Sequence, residues 1–313
     1  MLEQLEQLYR SQLQTFELAQ KNYAHLEQVI YRTIHFPGYD IRLQYNPARI
    51  LSTNAKIDAA TLRHRACFLC PAHMPEAQKG IPYGERYHIY INPYPIFTEH
   101  FTVPAREHVP QQIGGRFPDM LDLAFDLPGY TLFYNGPQCG ASAPDHFHFQ
   151  IAPRGMMPSE TDVENPNLKQ IVRQEDYYSV ATIDGYLRKI IILKASDRQL
   201  LVNLFEGLNR ILGQHIPSQP EPMYNLLAWF DNCQWTVCVF PRKLLRPRQF
   251  FAEGEEKVLF SPGSVDMAGL IISPRKEDFD KYSADLLTDL FAQVTPGEET
   301  WQKIITQIKH EIL

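Results

Sequence analysis

Apolar residues recur at helical spacing from the start of the chain: Leu2, Leu5, Leu8, Leu13, Phe16, Tyr23, Leu26, Ile30 and Ile34. Steps of three and four put them on one stripe, which predicts one or two amphipathic helices over residues 2–34, packed on the protein's own core. Pro37 and Gly38 end that stretch. The period then shortens. Tyr39–Tyr45 alternate weakly, and Tyr87–Tyr94, Phe101–Pro104 and Tyr130–Tyr134 are rich in aromatic and β-branched residues, as strands are. A helix is expected at about Asp119–Leu127. Residues 153–168, PRGMMPSETDVENPNL, are polar and Pro-rich and read as a linker. Beyond it, strands are expected at Tyr178–Thr182 and Ile190–Leu193, and a helix at about Asp197–Leu212 behind a Ser196/Asp197 cap. After a Pro-rich break at 217–222, MYNLLAWF and WTVCVFPR read as paired strands.

One stretch stands apart, NGPQCGASAPDHFHFQIAPR from Asn135 to Arg154. His146, His148 and Gln150 alternate with Phe147, Phe149 and Ile151, the period of a strand with one polar and one apolar face. Same-face side chains on a strand stand about 6.6 Å apart, so two imidazoles and an amide line up. The loop before them carries Gly136, Gly140, Ser142 and Pro144, a composition that lets backbone N–H groups approach an anion. A lone H-x-H is more often a surface feature than a site; the longer string is what changes the reading.

H-x-H-x-Q behind N-G-P-x-x-G-A-S resembles the active-site strand of the histidine-triad superfamily. The resemblance is to its transferase branch: galactose-1-phosphate uridylyltransferases, diadenosine tetraphosphate phosphorylases and GDP-hexose phosphorylases. INPYPIFTEHFTVPAREHVPQ resembles the central hairpin of the same proteins, and Asn46–Lys56 loosely resembles a segment of the uridylyltransferases that reaches the nucleotide. The resemblance is dense at 67–154 and 235–275. It implies an α+β, histidine-triad-like fold of two related half-barrels. Aligning Pro241–Arg242 with Pro153–Arg154 sets Gln234, Thr236 and Cys238 where His146, His148 and Gln150 stand. The expected division is therefore a helical segment at 1–38, a catalytic half at 39–168 and, at 169–313, a second half without the histidines.

Composition narrows the alternatives. The 313 residues, 44% hydrophobic and 12% aromatic, suit a folded chain of about two domains. A net charge of −6 argues against a nucleic-acid partner, including zinc-dependent binding of one. No apolar run reaches 18 residues and the N-terminus lacks a basic, apolar leader, so no membrane partner and no secretion signal are expected. Five cysteines, an odd number, suggest a reducing compartment, hence the cytoplasm.

A neutral imidazole attacks phosphorus well and leaves readily. The resemblance makes His148 the nucleophile, carrying a nucleotidyl adduct. Gln150 cannot donate a full proton as a third His would, which suits transfer to phosphate rather than to water. Asn135, Gly136, Ser142 and Arg154 are the candidate substrate-binding residues, and the cluster Arg242, Lys243, Arg246 and Arg248 offers further positive charge. Two thiolates and two imidazoles would complete a tetrahedral zinc site. In the uridylyltransferases that set carries over to Cys67, Cys70, His108 and His146, with His73 and His100 as rivals. The expected activity is nucleotidyl transfer from a nucleoside diphosphate sugar or dinucleoside polyphosphate to a phosphate or sugar phosphate. The alternative is a non-catalytic nucleotide-binding or regulatory protein on the same scaffold. The base, the sugar and the oligomeric state, a homodimer among the options, stay open.

Overall fold

The computed structural model describes residues 1–50 and 59–313. Helices α1 (Leu2–Thr15) and α2 (Glu17–His25) open the chain as the apolar stripe predicts, burying Leu5, Leu8, Phe16 and Tyr23. The helical expectation fails past His25. Ile30–Phe36 is strand β1, paired antiparallel with β2 (Tyr39–Tyr45) from Ile30↔Tyr45 to Phe36↔Tyr39. The two-residue connection decides it: proline presets the first turn residue, and Gly38 sits at φ 87, where a side chain is strained. The Ile30/Ile34 spacing fits a helix and also one face of a strand. Of the run Asn46–Lys56, residues 51–56 lie outside the described residues.

Among the described residues, ten strands form one antiparallel sheet in the order β3-β4-β5-β7-β6-β11-β12-β10-β9-β8. The first five are β3 (Gly80–Tyr83), β4 (Tyr87–Ile91), β5 (Phe101–Pro104), β6 (Tyr130–Asn135) and β7 (His148–Pro153). The others are β8 (Lys169–Glu175), β9 (Tyr178–Ile183), β10 (Ile191–Ala195), β11 (Tyr224–Asp231) and β12 (Gln234–Pro241). Each group runs three strands, a helix, then two strands, and the last strand of each lies inside its predecessor's partner. The groups join where β6 meets β11, Phe133 opposite Leu227. Gln150 lies between Thr102 and Phe133, as Cys238 lies between Ile192 and Leu227, and His148 faces Pro104 as Thr236 faces Lys194. That register is the one the Pro-Arg alignment implies.

A short helix, α3 (Ala59–His64), precedes the C-x-x-C, which folds as a turn with the Cys70 N–H on the Cys67 carbonyl, 3.2 Å. Helices α4 (Phe117–Asp126) and α6 (Arg198–His215) follow β5 and β10, and Asp197 caps α6 by accepting the Leu200 N–H at 2.6 Å, a contact worth about 1 kcal/mol. The segment read as a linker is instead built into the core. Helix α5 (Pro158–Asp162) buries Ser159 and Glu160, and the Glu160 carboxylate accepts from Thr131 and from the N–H groups of Gly155 and Met157. Its polar residues face in because partners there satisfy them. The C-terminal stretch adds α7 (Arg248–Phe251), α8 (Ser264–Met267), β13 (Leu270–Ser273), α9 (Lys276–Lys281), α10 (Ala284–Val294) and α11 (Glu298–Glu311).

Alternation along the strands sorts the core into two layers. Phe147, Phe149 and Ile151 pack with apolar residues of α4, α6 and α11 on one face of the sheet. On the other face, Leu227, Cys238 and Ile192 of the second group lie under Ile41 and Leu43 of β2 and Ile271 of β13, which pair in parallel. The same face of the first group, with Thr102, Gln150 and Phe133, is not roofed in this way. It forms the floor of a cavity.

Candidate active site

The cavity measures about 710 Å³, within the range of small-molecule sites. His148 and Gln150 stand on its floor, with Asn135, Gly140 and Ser142 beside them. Phe68, Tyr90, Tyr94 and Phe260 give it aromatic walls, while the guanidinium groups of Arg49 and Arg65 and the Asp266 carboxylate supply charge.

Backbone geometry at His148 is unusual. On one side Pro104 is opposite it, but there the ladder bonds belong to the neighbouring pairs, the Ala105 N–H donating to the Phe147 carbonyl at 2.9 Å, so the His148 N–H and carbonyl point away from β5. On the other, β6 has diverged past Phe133. The fully buried Gln111 amide fills the gap: its Oε1 accepts the His148 N–H at 2.8 Å, and its Nε2 donates to the His148 carbonyl at 3.0 Å and the Asn135 carbonyl at 2.9 Å. One side chain thus does the work of a neighbouring strand. The His148 ring is held as well. Its Nδ1–H donates to the His146 carbonyl at 2.9 Å, which leaves Nε2 with its lone pair. Burial pushes the imidazole down to about 4, so it is neutral near pH 7.

Gln150 accepts at Oε1 from His100 Nε2–H, 2.9 Å away. Ser142 lines the cavity. Asn135 is fixed by its side-chain oxygen, which accepts from the Ser264 N–H at 2.6 Å, the Ser264 hydroxyl at 2.7 Å and Asn225 Nδ2 at 2.9 Å. Gly136 lies behind the site, against the Tyr224 carbonyl, where a Cβ would come within 2.8 Å. Gly140, at φ 91, packs on the Pro262–Gly263 backbone with 2.7 Å from an added Cβ to Gly263 Cα. Cys139 is buried and its thiol pushed up to about 12, which suits the absence of a role for it.

The expected arginines lie elsewhere. Arg154 is not on the cavity wall; it pairs with Asp231 at 2.8 Å and lies over the Trp229 ring. Arg242 is fully buried and donates to Asn225 Oδ1 and to the carbonyls of Pro262, Leu244 and Leu245. Arg246 meets Ser261, and Arg248 pairs with Asp289. Strand direction explains Arg154: it follows the far end of β7, five residues beyond Phe149. The arginines that do reach the cavity, Arg49 and Arg65, were not singled out. Only their adjacency to the N-P-A-R and C-x-x-C runs marked them. Asp266 and Phe260 arrive from the other half of the chain.

The thiols and imidazoles do converge. Among the described residues, Cys67, Cys70, His108 and His146 form the group of Cys/His ligand atoms that could hold a metal ion, all within 4.8 Å of one another. His146 Nδ1 is 3.3 Å from Cys67 Sγ and 3.5 Å from Cys70 Sγ, and His108 Nδ1 is 3.2 Å from Cys70 Sγ. Tetrahedral zinc with bonds of about 2.3 Å to sulfur and 2.05 Å to nitrogen would hold such pairs about 3.5 Å apart. His146 Nε2–H donates to the Ala105 carbonyl at 2.7 Å, the outer contact that leaves Nδ1 as the ligating nitrogen. The donor set fits. The rivals are engaged elsewhere, His73 with the Cys67 carbonyl and His100 with Gln150.

Residues 8–153 match a family described as a domain of unknown function, DUF4922, and residues 162–313 match one described as GDPGP1-like, C-terminal domain. No curated protein matches the chain. The structure of yeast Ap4A phosphorylase Apa2 is similar, with a TM-score of 0.61 at 16% identity over 90% of this chain and 96% of that one. Its complex with Ap4A gives 0.61 at 17% identity, over 92% and 97%. The complex with AMP gives 0.56 at 17%, over 92% and 96%. These likenesses bear out the α+β fold expected from the resemblance. No helix among the described residues is long and apolar enough to cross a membrane.

Proposed function

We propose that the protein is a nucleotidyltransferase of the phosphorylase type, working through a nucleotidyl adduct on His148. The observation that carries this reading is the His148 ring itself: neutral, its Nδ1–H tied to a backbone carbonyl, its other nitrogen on the floor of a ligand-sized cavity. In the first step the Nε2 lone pair attacks the α-phosphorus of a nucleoside diphosphate sugar or dinucleoside polyphosphate. The bond from that phosphorus to the leaving phosphate oxygen breaks, and its electron pair stays on the oxygen. In the second step an oxygen of inorganic phosphate or a sugar phosphate attacks, and the phosphorus–nitrogen bond returns its pair to Nε2. Gln150 and Ser142 would hold the non-bridging oxygens, and Asn135, with its oxygen occupied, would offer its N–H₂. Arg49 would balance phosphate charge, a role first expected of Arg154, while Arg65 is paired with Asp145 at 2.5 Å.

Cys67, Cys70, His108 and His146 would hold zinc, which when bound supplies a fixed cross-link between three chain segments. His146 then keeps its carbonyl aimed at His148 Nδ1. We read residues 39–168 and 169–313 as copies of one unit, of which the second has Thr236 and Cys238 in the register of His148 and Gln150 and no imidazole at those positions. All five cysteines are free, which supports the cytoplasm as the compartment.

The test is incubation with diadenosine tetraphosphate or GDP-hexoses, with and without inorganic phosphate. A mass gain of one nucleoside monophosphate should map to His148 when no acceptor is present, and His148→Ala should abolish it. A wild-type chain that binds these nucleotides without ever acquiring that mass would make it a binding protein.

A further inference from the structure

We infer that His100 is a positioning residue that fixes which end of the Gln150 amide faces the substrate phosphate. The inference rests on the nucleotidyl-transfer reading and deepens it. A glutamine amide has two ends of nearly equal size and opposite polarity. With N–H₂ toward the cavity it donates to a phosphoryl oxygen; with the carbonyl oxygen there it repels one. Something must choose, and the sequence around Gln150 does not.

The choice is made four residues before β5 ends. The His100 ring is fully buried between Phe97 and Phe133. Its Nδ1 accepts the Ile96 backbone N–H at 3.2 Å, so the ring's single hydrogen is on Nε2. That hydrogen is directed at Gln150 Oε1, 2.9 Å away; Asn92 Nδ2, farther from the same nitrogen at 3.4 Å, has the Thr102 hydroxyl at 3.1 Å to donate to, and the Gln150 N–H₂ is left for the cavity. Turning the amide over would set two donors against each other; moving the hydrogen to Nδ1 would set it against the Ile96 N–H. Burial and the nearby Arg49 charge hold the ring down at about 3, so it carries one hydrogen across the working pH range. The backbone is pinned as well. The Tyr23 hydroxyl of α2 donates to the His100 carbonyl at 2.9 Å and accepts its N–H at 3.2 Å. Ile96 is in turn held by Gln44, whose Nε2 donates to its carbonyl at 3.0 Å. The N-terminal helices thereby reach the phosphate-binding amide through one imidazole.

Two substitutions separate positioning from folding. His100→Gln places an amide nitrogen near the lost Nε2 and keeps a donor for Gln150, giving up the bond from Ile96. His100→Asn places an amide oxygen near the lost Nδ1 and keeps that bond, giving up the donor. Each forfeits one of two buried hydrogen bonds, so both should melt at similarly lowered temperatures. Losing one oriented donor to a charged group should slow single-turnover labelling of His148 in His100→Asn by roughly 10- to 100-fold, with half-saturating diadenosine tetraphosphate or GDP-hexose changed less than about threefold. His100→Gln should stay within about fivefold of wild type. Equal slowing in both variants, or none in either, overturns the proposal. Nitrogen-15 spectra read it without turnover: a slowly exchanging His100 Nε2–H should be seen, and should shift in Gln150→Leu. A His100 carrying its hydrogen on Nδ1 refutes the inference even if labelling succeeds. Wild-type protein that never labels refutes the nucleotidyl-transfer reading and leaves the spectra to decide this one.

Discussion

Replacing Gln111 by methionine should cost far more than a single buried side chain of that size. Methionine keeps the length and flexibility of glutamine, so packing is nearly conserved. What disappears is the amide that serves the His148 N–H, the His148 carbonyl and the Asn135 carbonyl at 2.8, 3.0 and 2.9 Å. No strand serves these groups in its place, since the His148 peptide points away from β5 and β6 pairs with β7 only as far as Phe133. A buried backbone group left without a partner costs about 1–3 kcal/mol. Three such groups, offset in part by the better burial of a thioether, should lower unfolding free energy by roughly 3–5 kcal/mol. Urea unfolding at fixed pH measures it, provided the slope with denaturant is unchanged. On the proposed mechanism turnover should fall as well, because the His148 peptide is no longer held on that edge. A loss below about 1 kcal/mol with full activity would show that water or a local shift satisfies the three groups, and that the clasp is incidental.

Two further outcomes follow from the site and its surroundings. Metal analysis should find about one zinc per chain, and Cys67→Ser or a strong chelator should lower the melting temperature more than it lowers the labelling rate of protein that remains folded; a metal-free wild type with unchanged stability would refute the ligand set. Glu221 is buried, accepts from the Tyr134 hydroxyl at 2.6 Å and the Ile113 N–H at 2.8 Å, and is pushed up to about 7 by burial. Because the folded state then holds a proton that the unfolded chain releases, stability is full below about pH 4.5 and declines as pH rises towards 7, by on the order of 2 kcal/mol. Glu221→Gln should flatten that decline, and pH-independent stability of the wild type over this window would refute the assignment.

How much of this was legible in the chain differs by kind of signal. The strand bearing His148 and Gln150 could be read because its period is local, although His146 lies in the bend before it, and the Cys67/Cys70 pair because its ligands come in a recognisable chemical set. The α6 cap and the β11–β12 hairpin were legible for the same reason. Residues 153–168 misled because polarity was taken for exposure, whereas Glu160 and Asp162 are buried and satisfied by distant partners. Ile30 and Ile34 misled because their spacing does not distinguish the two periods. Arg154 and Arg242 drew attention by charge, but charge says nothing about which end of a strand or which side of a loop it occupies. Arg49, Asp266, His100 and Gln111 have no local signature. His100 and Gln111 acquire their places through contacts distant in sequence, 37 residues between Gln111 and His148 and 50 between His100 and Gln150.

Arg242 carries a consequence for how such a chain can be divided. Its guanidinium holds Asn225, and Asn225 and Ser264 hold the Asn135 side chain that lines the cavity beside His148. His148 and the loop before it lie in residues 8–153, while all three of these supports lie in residues 162–313. The two regions are therefore not interchangeable modules. Expressed by itself, the stretch with the histidines would keep every reactive group and lose the scaffolding that orders its loop, so activity should return only when both pieces are mixed.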